Sequence, residues 1–475
     1  MRILLVQPNQ NQALGLQQLA RVEPLGLEML AGALREQHQV ALVDLRLEPN
    51  GLGAALADVR PDMVGISSTF TVDMREALAI AQTVKASDPR TFVVVGGHHP
   101  SLNPTDLNHP AVDALVVGEG ELTLRELVEC LAARGDPEAV LGLVLNRPGG
   151  QFSTGSRPPF KNLDLLPLPD RHLTRAQRDQ YYLVLASPIA SVETARGCPY
   201  RCSFCSVWRF YQGRVRFKSP PRVLKELEAV EEADVLFTDD NFLASPRRAA
   251  EIARLIRERG LRKHYIIQTR SDTIVSHPEV IAQWRSVGLG SVFIGFEKPD
   301  QRELNGVNKH NSVENNEQAL AILRAQGIEP VTSFIVGPDY THDDFANLRA
   351  YVQRLKLQLP AFTVLTPLPG TELFQQTRMR LSTLNYQLFD LTHAVLPTQL
   401  PAAEFYQEMA RLWRAAYPRW KTELVRLSLT LRDRWSPRSS PANWQKAFAE
   451  LRRFTDAQSY LLDLAKAGEP LAPHS

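Results

Sequence analysis

The chain has 475 residues, which exceeds what one hydrophobic core supports and predicts two or three domains. Its net charge of +2 provides no overall field that would favour nucleic acid, and four cysteines, three of them clustered, predict a reducing cytoplasmic setting rather than a disulfide framework. The sequence contains no apolar run of about eighteen residues, so no membrane-spanning helix is predicted, and the apolar run at residues 3–6 is too short for a secretory signal.

Strand-length apolar segments alternate with helix-length amphipathic segments over residues 1–135. Strands are predicted at residues 2–7, 39–44, 63–67, 92–96 and 114–117, and helices at residues 25–36, 73–86 and 123–132. Asp73, with Glu76 three residues later, predicts a capping box at the start of the second helix. Nearly all-apolar strands joined through helices predict an α/β domain with a flavodoxin-like, doubly wound parallel sheet.

Polar residues and glycines follow these strands, at the edge where doubly wound sheets bind ligands. We call this set the glycine-rich rim, and it comprises Gln7, Asn9, Asp44, Ser67, Ser68, Gly96, Gly97, His98, Gly118, Glu119 and Gly120. Paired glycines let the backbone approach a large ligand closely. Neither a G-x-G-x-x-G nor a Walker motif follows the first strand, so a dinucleotide or nucleoside triphosphate is not favoured.

Turn residues crowd residues 136–186, which predicts a linker with one short hairpin between Val140 and Phe152. Strand and helix alternation then resumes over residues 187–375, and a helical region is predicted over residues 376–475. Six strands are predicted in the resumed alternation, ending at or near residues 194, 238, 269, 295, 336 and 366.

Three cysteines follow the first of these strands at the spacing C-x3-C-x2-C: Cys198, Cys202 and Cys205. One short loop can thus direct three thiolates at one inorganic cluster. An iron–sulfur cubane has four ligand positions, so three cysteines leave one iron open for a substrate or cofactor. The alternative is a Cys3His zinc site, although the nearest histidines, His172 and His264, lie well outside the loop.

The motif C-x3-C-x-F-C resembles the signature of the radical S-adenosylmethionine enzymes. In that family the three cysteines hold a 4Fe–4S cluster whose open iron chelates S-adenosylmethionine, and one electron cleaves the cofactor to a 5′-deoxyadenosyl radical. Six β/α units match the family's partial (β/α)6 barrel. The resemblance therefore implies a cluster bound by these cysteines, S-adenosylmethionine, and a reducing electron donor of the flavodoxin or ferredoxin type.

Polar residues at the carboxyl ends of barrel strands are typical of site residues. The resemblance implies S-adenosylmethionine contacts from Phe204 and from Asp239 or Asp240, with the two aspartates left open because the family's Gly-Gly-Glu is absent. Arg270 suits a carboxylate, since its planar fork can bind both oxygens, and Glu297 would accept hydrogen bonds from ribose hydroxyls. The alternatives are ordinary packing for Phe204 and a salt-bridged rim without ligand for Arg270 and Glu297.

The strand ends VGISS, VVVGGHHP and VVGEGE precede the cysteine motif and resemble the cobalamin-binding domains of the cobalamin-dependent radical enzymes. The glycine-rich rim would then line the corrin and its nucleotide tail. The D-x-H-x-x-G motif is absent, so a histidine ligand from that motif is not expected. His98 and His99 are candidate contacts near the corrin, and capping of a loop is their alternative role.

The C-terminal region is rich in aromatic and basic residues, with eleven Lys or Arg against three Asp or Glu between Arg411 and Arg453. Basic residues interleaved with Trp and Leu on helices predict either a peripheral contact with an anionic membrane surface or a solvated face of a helical cap.

The segments RVEPLGLEML and GCPYRCSFCSVW, with residues 389–413, most resemble the hopanoid C-3 methylases. This implies methylation of an unactivated carbon of a small-molecule or lipid substrate, C-3 of a hopanoid, through methylcobalamin and a 5′-deoxyadenosyl radical. Two alternatives are a radical cyclase or other C–H functionalising enzyme of tetrapyrrole or natural-product biosynthesis, and a non-enzymatic cobalamin and iron–sulfur sensor. A catalytic triad is not required for the methyl transfer itself.

Overall fold

The structure is a computed structural model that describes residues 1–9, 19–184, 186–435 and 441–468. Within these residues the chain forms two compact units. The first comprises residues 1–9, 23–178 and 209–212, and the second comprises residues 19–22, 179–184, 186–208, 213–435 and 441–468. The sequence-based domain boundaries at 135, 186 and 375 stay predictions.

A seven-stranded sheet forms the centre of the first unit, in the order β2-β1-β3-β4-β5-β6-β7. Its strands are β1 (Arg2–Gln7), β2 (Gln39–Asp44), β3 (Met63–Ser67), β4 (Phe92–Gly96), β5 (Ala114–Val116), β6 (Leu143–Arg147) and β7 (Gly150–Ser153). The first five pair in parallel, in the flavodoxin-like order. The predicted hairpin is present as β6 and β7, which extend the sheet antiparallel.

Apolar residues on both faces of this sheet explain why its strands are almost entirely hydrophobic. Successive side chains of a strand point to opposite faces, and Leu4 and Val6 join one core while Ile3 and Leu5 join another. The helices of the unit are α1 (Leu25–Leu34), α2 (Gly51–Val59), α3 (Met74–Ser87), α4 (His98–Leu102) and α5 (Gly120–Ala132).

The predicted capping box at Asp73 is wrong. The Asp73 carboxylate accepts the N–H of Phe70 at 3.0 Å and so closes the turn before α3, while Asp73 makes no side-chain cap to α3 itself. Helix α2 was not predicted, because Gly51 and Gly53 resemble loop residues. Cys130 is half-buried on α5, in keeping with a structural thiol.

A six-stranded parallel sheet forms the second unit, with its strands paired in chain order. They are β8 (Ile189–Val192), β9 (Asp234–Phe237), β10 (His264–Thr269), β11 (Leu289–Glu297), β12 (Val331–Val336) and β13 (Leu359–Val364). Each strand lies within three residues of its predicted position. Sequential parallel order is what six β/α units require.

Helices of the second unit and of the segment after the cysteine loop follow the same alternation. They are α6 (Val207–Phe210), α7 (Pro220–Glu228), α8 (Pro246–Arg259), α9 (Ser271–Ser276), α10 (Pro278–Val287), α11 (Gln301–Gly306), α12 (Val313–Ala325), α13 (His342–Arg354) and α14 (Glu372–Thr377). Their core includes Trp284, whose ring packs edge-on against Phe237 and Tyr265.

The C-terminal region is helical, as predicted. Its helices are α15 (Ala402–Ala416), α16 (Arg419–Trp435), α17 (Pro441–Phe454) and α18 (Ala457–Lys466). Helix α15 packs against α13 and β13, and the Trp413 ring stacks on Phe454 of α17 at 4.7 Å between centroids. Among the described helices, none has the length and apolar character needed to cross a bilayer.

Candidate active site

The cysteine loop leaves the carboxyl end of β8, the first strand of the parallel sheet. Gly197, with φ of +93°, turns the chain directly before Cys198 in a conformation that favours glycine. The carbonyl of Cys202 accepts two hydrogen bonds, from the Cys205 N–H at 3.1 Å and from the Trp208 indole at 3.2 Å. The backbone between the second and third cysteines is therefore fixed by the loop itself.

Burial raises the pKa of all three loop thiols, that of Cys205 to about 12. A buried thiolate is costly unless a cation compensates it, and a coordinating thiol is deprotonated outright by its metal. The loop thus holds three thiols that suit a metal centre as their partner. Phe204, between Cys202 and Cys205, is half-buried.

The three loop cysteines could ligate a cluster or, with a further ligand, a single ion. Within the described part of the chain, no group of three or more His, Cys, Asp or Glu side chains is arranged to hold one metal ion. A Cys3His zinc site would require such a group, because all its ligands bind the same ion. In a cubane each thiolate instead binds a different iron, and three cysteines leave the fourth iron open.

The two aspartates after β9 have different environments. Asp239 is buried, and its carboxylate accepts the N–H groups of Thr194 at 2.6 Å and Ala195 at 3.0 Å as well as the Thr194 hydroxyl. Burial raises the pKa of Asp239 to about 6, although these hydrogen-bond donors act to lower it. This carboxylate ties β9 to the start of the cysteine loop.

Asp240 is only half-buried and accepts one N–H from the loop, that of Gly197 at 3.3 Å. Burial raises its pKa to about 7, and the neighbouring Asp239 and Glu193 charges act in the same direction. A positively charged partner nearby favours the ionised form of such a carboxyl group and lowers its pKa again. Because Asp240 accepts this single hydrogen bond while Asp239 accepts three, Asp240 retains acceptor capacity for a ligand amino group.

Arg270 follows β10 in the six-stranded sheet, and neighbouring protein groups hold its guanidinium in place. Its Nε and Nη2 groups donate to Asp272, and Nη2 also donates to the carbonyls of Lys309 and His310 at 2.9 Å each. Its guanidinium lies 3.5 Å from the centroid of the Tyr200 ring, inside the cysteine loop. Among the described residues its Nη1 group donates to no carboxylate and no backbone carbonyl, so this one nitrogen remains for a ligand.

Glu297 ends β11 in a strained conformation, with φ of +63°. The pairing of β11 with β12 shifts register between Gly295 and Glu297, and the Glu297 carboxylate accepts Lys309 Nζ at 2.6 Å. Non-glycine residues at positive φ concentrate at functional sites, where the surrounding structure holds them. A β-carbon on Gly295 would lie 2.0 Å from Glu297 Oε1, so this carboxylate occupies space that only glycine leaves open.

Replacement of Gly295 by alanine is expected to displace the Glu297 carboxylate and to weaken S-adenosylmethionine binding by about ten- to a hundredfold, because small misplacements of a binding group have large effects. The nearest neighbours are flexible side-chain ends, so the fold should persist. Gly290→Ala in the same strand is the matched control, since its β-carbon meets nothing closer than 4.0 Å. Equal affinities of the two variants, measured by equilibrium binding to the cluster-loaded protein, would contradict the role of this contact.

Lys309 and Tyr200 were missed from the sequence. Lys309 holds Glu297 and also supplies a carbonyl to Arg270, although it follows a turn twelve residues after Glu297. A lone lysine in a turn carries no recognisable signal. Tyr200 could have been suspected, because it lies between Cys198 and Cys202 in the loop itself.

The strand pairing of the first unit brings the glycine-rich rim to one edge of its sheet. The rim residue Gln7 pairs with Asp44 at the ends of β1 and β2, and Ser67 pairs with Gly96 at the ends of β3 and β4. Gln7 is buried and Asn9 half-buried. Asp44 is engaged by its neighbour Arg46 at 2.6 Å, so its carboxylate serves the loop after β2.

A close approach of two loops shapes the middle of this rim. Gly97 has a φ of +131°, and a β-carbon there would lie 2.5 Å from the carbonyl oxygen of Ser68. Ser68 is fully buried, and its hydroxyl has no hydrogen-bond partner among the described residues. An orphaned buried hydroxyl beside a glycine cradle fits a polar ligand such as cobalamin at this edge.

The remaining rim residues make contacts within the first unit. The His98 imidazole stacks on Phe210 with 4.6 Å between ring centroids. The Gly118 N–H donates to Ser101 Oγ at 2.9 Å, and the Glu119 carboxylate accepts the N–H of Phe160 at 2.7 Å. Gly120 begins α5. The stack on Phe210 is thus the contact that positions the His98 ring.

Two family models match the chain: the B12 binding domain over residues 14–128 and the Radical SAM superfamily over residues 192–352. A hopanoid C-3 methylase of Methylococcus capsulatus is 35% identical over 84% of this chain and 77% of its own length. An uncharacterised methyltransferase of Pyrococcus horikoshii is 30% identical over 88% of this chain and 92% of its own.

Among solved structures, the radical S-adenosylmethionine methyltransferase TsrM from Kitasatospora setae, with cobalamin and a 4Fe–4S cluster bound, superposes with a TM-score of 0.69. The two share 17% identity, and the match covers 95% of this chain and 98% of that one, which shows a common fold. This likeness confirms the predicted fold class, and the two family models confirm the three predicted cofactors. The chain belongs to the cobalamin-dependent radical S-adenosylmethionine enzymes and is a methyltransferase that uses a 4Fe–4S cluster, S-adenosylmethionine and cobalamin.

Proposed function

We propose that this methyltransferase methylates C-3 of a hopanoid, an unactivated carbon of a triterpenoid lipid. The observation that supports the proposal is the likeness to a hopanoid C-3 methylase, which is 35% identical over 84% of this chain. A hopanoid carbon offers no acidic proton, so its methylation calls for radical chemistry. Bound cluster, S-adenosylmethionine and cobalamin supply that chemistry, while the protein binds and orients them.

In this proposal the three loop cysteines hold the cluster, and the strand ends of the second unit hold S-adenosylmethionine. Asp240 receives the methionine amino group, because it is the less engaged of the two aspartates. Arg270 binds the carboxylate through Nη1, its other nitrogens being fixed by Asp272 and two carbonyls. Glu297 accepts the ribose hydroxyls in the orientation set by Lys309, with Phe204 beside the cluster.

Cobalamin is held in this proposal by the glycine-rich rim of the first unit. Ser68 donates its unpaired hydroxyl, and the backbone at Gly96, Gly97 and Gly118 allows close approach of the corrin and its nucleotide tail. His98 contacts the cofactor from its stack on Phe210 and is not assigned as an axial ligand.

The test is anaerobic reconstitution with iron, sulfide and cobalamin, followed by incubation with a desmethyl hopanoid, a reductant and S-adenosylmethionine labelled at the methyl group. We expect the label in the hopanoid at C-3, located by gas chromatography and mass spectrometry, with formation of deoxyadenosine. The same protein with Cys202→Ala is the control and should give neither product.

Three outcomes would contradict the proposal. Label at another hopanoid carbon would change the regiochemistry, and label in a different acceptor would change the substrate. Deoxyadenosine without label transfer would indicate a cyclase or another C–H functionalising reaction. Extracts of cells with and without the chain, compared for 3-methylated triterpenoids, provide the matching measurement in vivo.

A further inference from the structure

Helix α16 presents an apolar stripe that its neighbours leave uncovered. Trp420, Leu424 and Leu427 are 67%, 58% and 57% exposed. Their spacing of four and three residues puts all three on one face of the helix. We call this face the α16 stripe. Scattered exposed leucines are ordinary, but a tryptophan and two leucines aligned along one helix form a contiguous apolar surface.

Basic side chains stand on both sides of the α16 stripe. At helical spacing, Arg419 and Arg426 fall on one side and Lys421 on the other. They belong to the stretch from Arg411 to Arg453, which carries eleven basic and three acidic residues in a chain whose total net charge is only +2. Positive charge is thus concentrated in this stretch of the sequence.

Polar contacts hold α16 in place without covering the stripe. Lys421 Nζ donates to Gln358 at 2.6 Å, and the Glu423 carboxylate pairs with Arg426 and with Arg452 of α17, both at 2.8 Å. These partners use the polar side chains next to the stripe. The apolar face is therefore a stable feature of the folded second unit.

We infer that the α16 stripe docks on an anionic lipid surface, with the helix lying in the headgroup region. The apolar side chains would enter the boundary of the acyl chains, and Arg419 would meet lipid phosphates, while Lys421, hydrogen-bonded to the neutral Gln358, adds positive charge beside them. Pairing with a second copy through the same face is disfavoured, because two such basic segments would repel each other. The inference rests on exposure and charge alone and does not depend on the hopanoid proposal.

The experiment uses the full chain and vesicles of phosphatidylcholine, with or without phosphatidylglycerol, in a sedimentation assay. We expect the protein to sediment with the anionic vesicles and much less with the neutral ones. Higher salt should weaken this binding, because exposed charges are screened. Trp420 emission should shift to shorter wavelength on binding, and Trp420→Phe should remove that part of the shift.

The triple variant Trp420→Ser, Leu424→Ser, Leu427→Ser is expected to bind anionic vesicles about tenfold or more weakly, because it removes the apolar contribution. Leu462→Ser on α18 is the matched control, since Leu462 is also 57% exposed and lies outside the stripe. Arg419→Glu provides a second variant of the exposed surface, expected to reduce binding severalfold. Circular dichroism checks that each variant is folded.

Three results would overturn the inference. They are wild-type binding by the triple variant, equal binding to neutral and anionic vesicles, and absence of binding to either. Concentration-dependent dimerisation that the triple variant abolishes, seen by gel filtration without lipid, would assign the stripe to a second copy instead. The assay contains no hopanoid and no S-adenosylmethionine, so its failure is independent of the proposed reaction.

Discussion

Cys202→Ala is expected to lower deoxyadenosine formation by about a thousandfold or more, equivalent to about 4 kcal/mol in activation free energy. Cys202 is the buried central cysteine of the loop, and its carbonyl anchors Cys205 and Trp208. Alanine keeps those backbone contacts and removes only the sulfur. The loss would therefore report ligation rather than collapse of the loop. Deoxyadenosine is measured by liquid chromatography and mass spectrometry after anaerobic reconstitution.

Cobalamin binding separates this effect from unfolding. The glycine-rich rim lies in the first unit, so the variant should still bind the corrinoid with unchanged affinity. Cys130→Ala is the matched control, because Cys130 is a half-buried thiol of α5 outside the loop, and it should retain full iron, sulfide and activity. Normal deoxyadenosine formation by Cys202→Ala would refute the proposed cluster site.

Asp239→Asn is expected to lower the free energy of unfolding by about 2–3 kcal/mol, whereas Asp240→Asn should not lower it. The buried Asp239 carboxylate accepts two N–H groups and one hydroxyl, and an asparagine amide would turn a donor toward one of these donors. Asp240 accepts a single long hydrogen bond from Gly197. Thermal and urea unfolding followed by circular dichroism give the comparison.

Binding should show the opposite order. Asp240→Asn is expected to weaken S-adenosylmethionine binding by about tenfold, since a charged hydrogen bond to the amino group is lost. If Asp239→Asn folds normally and Asp240→Asn binds normally, the assignments of the two aspartates would have to be exchanged.

The pKa of Asp240 also sets an expected pH dependence of stability. Its value in the folded chain, about 7, lies above the usual value near 4, so the folded state binds this proton more tightly than the unfolded state does. Its ionisation therefore costs stability as the pH rises from about 4 to about 7. Relative to wild type, the cluster-free Asp240→Asn variant should become more stable over this range, and a flat difference would contradict the raised pKa.

Much of the fold could be predicted because its signals are local. Each of the strands β1 to β5 and β8 to β13 is a short apolar run that the sequence itself shows. The sequence therefore predicted each of these strands within three residues of its position. Helix α2 was missed because two glycines hide an apolar face that becomes evident only when Leu56 packs on the sheet. The capping box predicted at Asp73 was wrong, because the Asp73 carboxylate accepts the N–H of Phe70 in the preceding turn instead of capping the helix.

The sequence by itself determined the cluster motif, the positions of the parallel strands and the positions of the rim residues, because cysteine spacing and hydrophobic period act over a few residues. Only the tertiary structure decided which aspartate is engaged by Thr194, which edge of Arg270 is left for a ligand, and that Lys309 orients Glu297. Each of these depends on contacts between distant segments. Strand pairing and loop packing bring those segments together, and local sequence patterns do not predict contacts between segments that are distant in the chain.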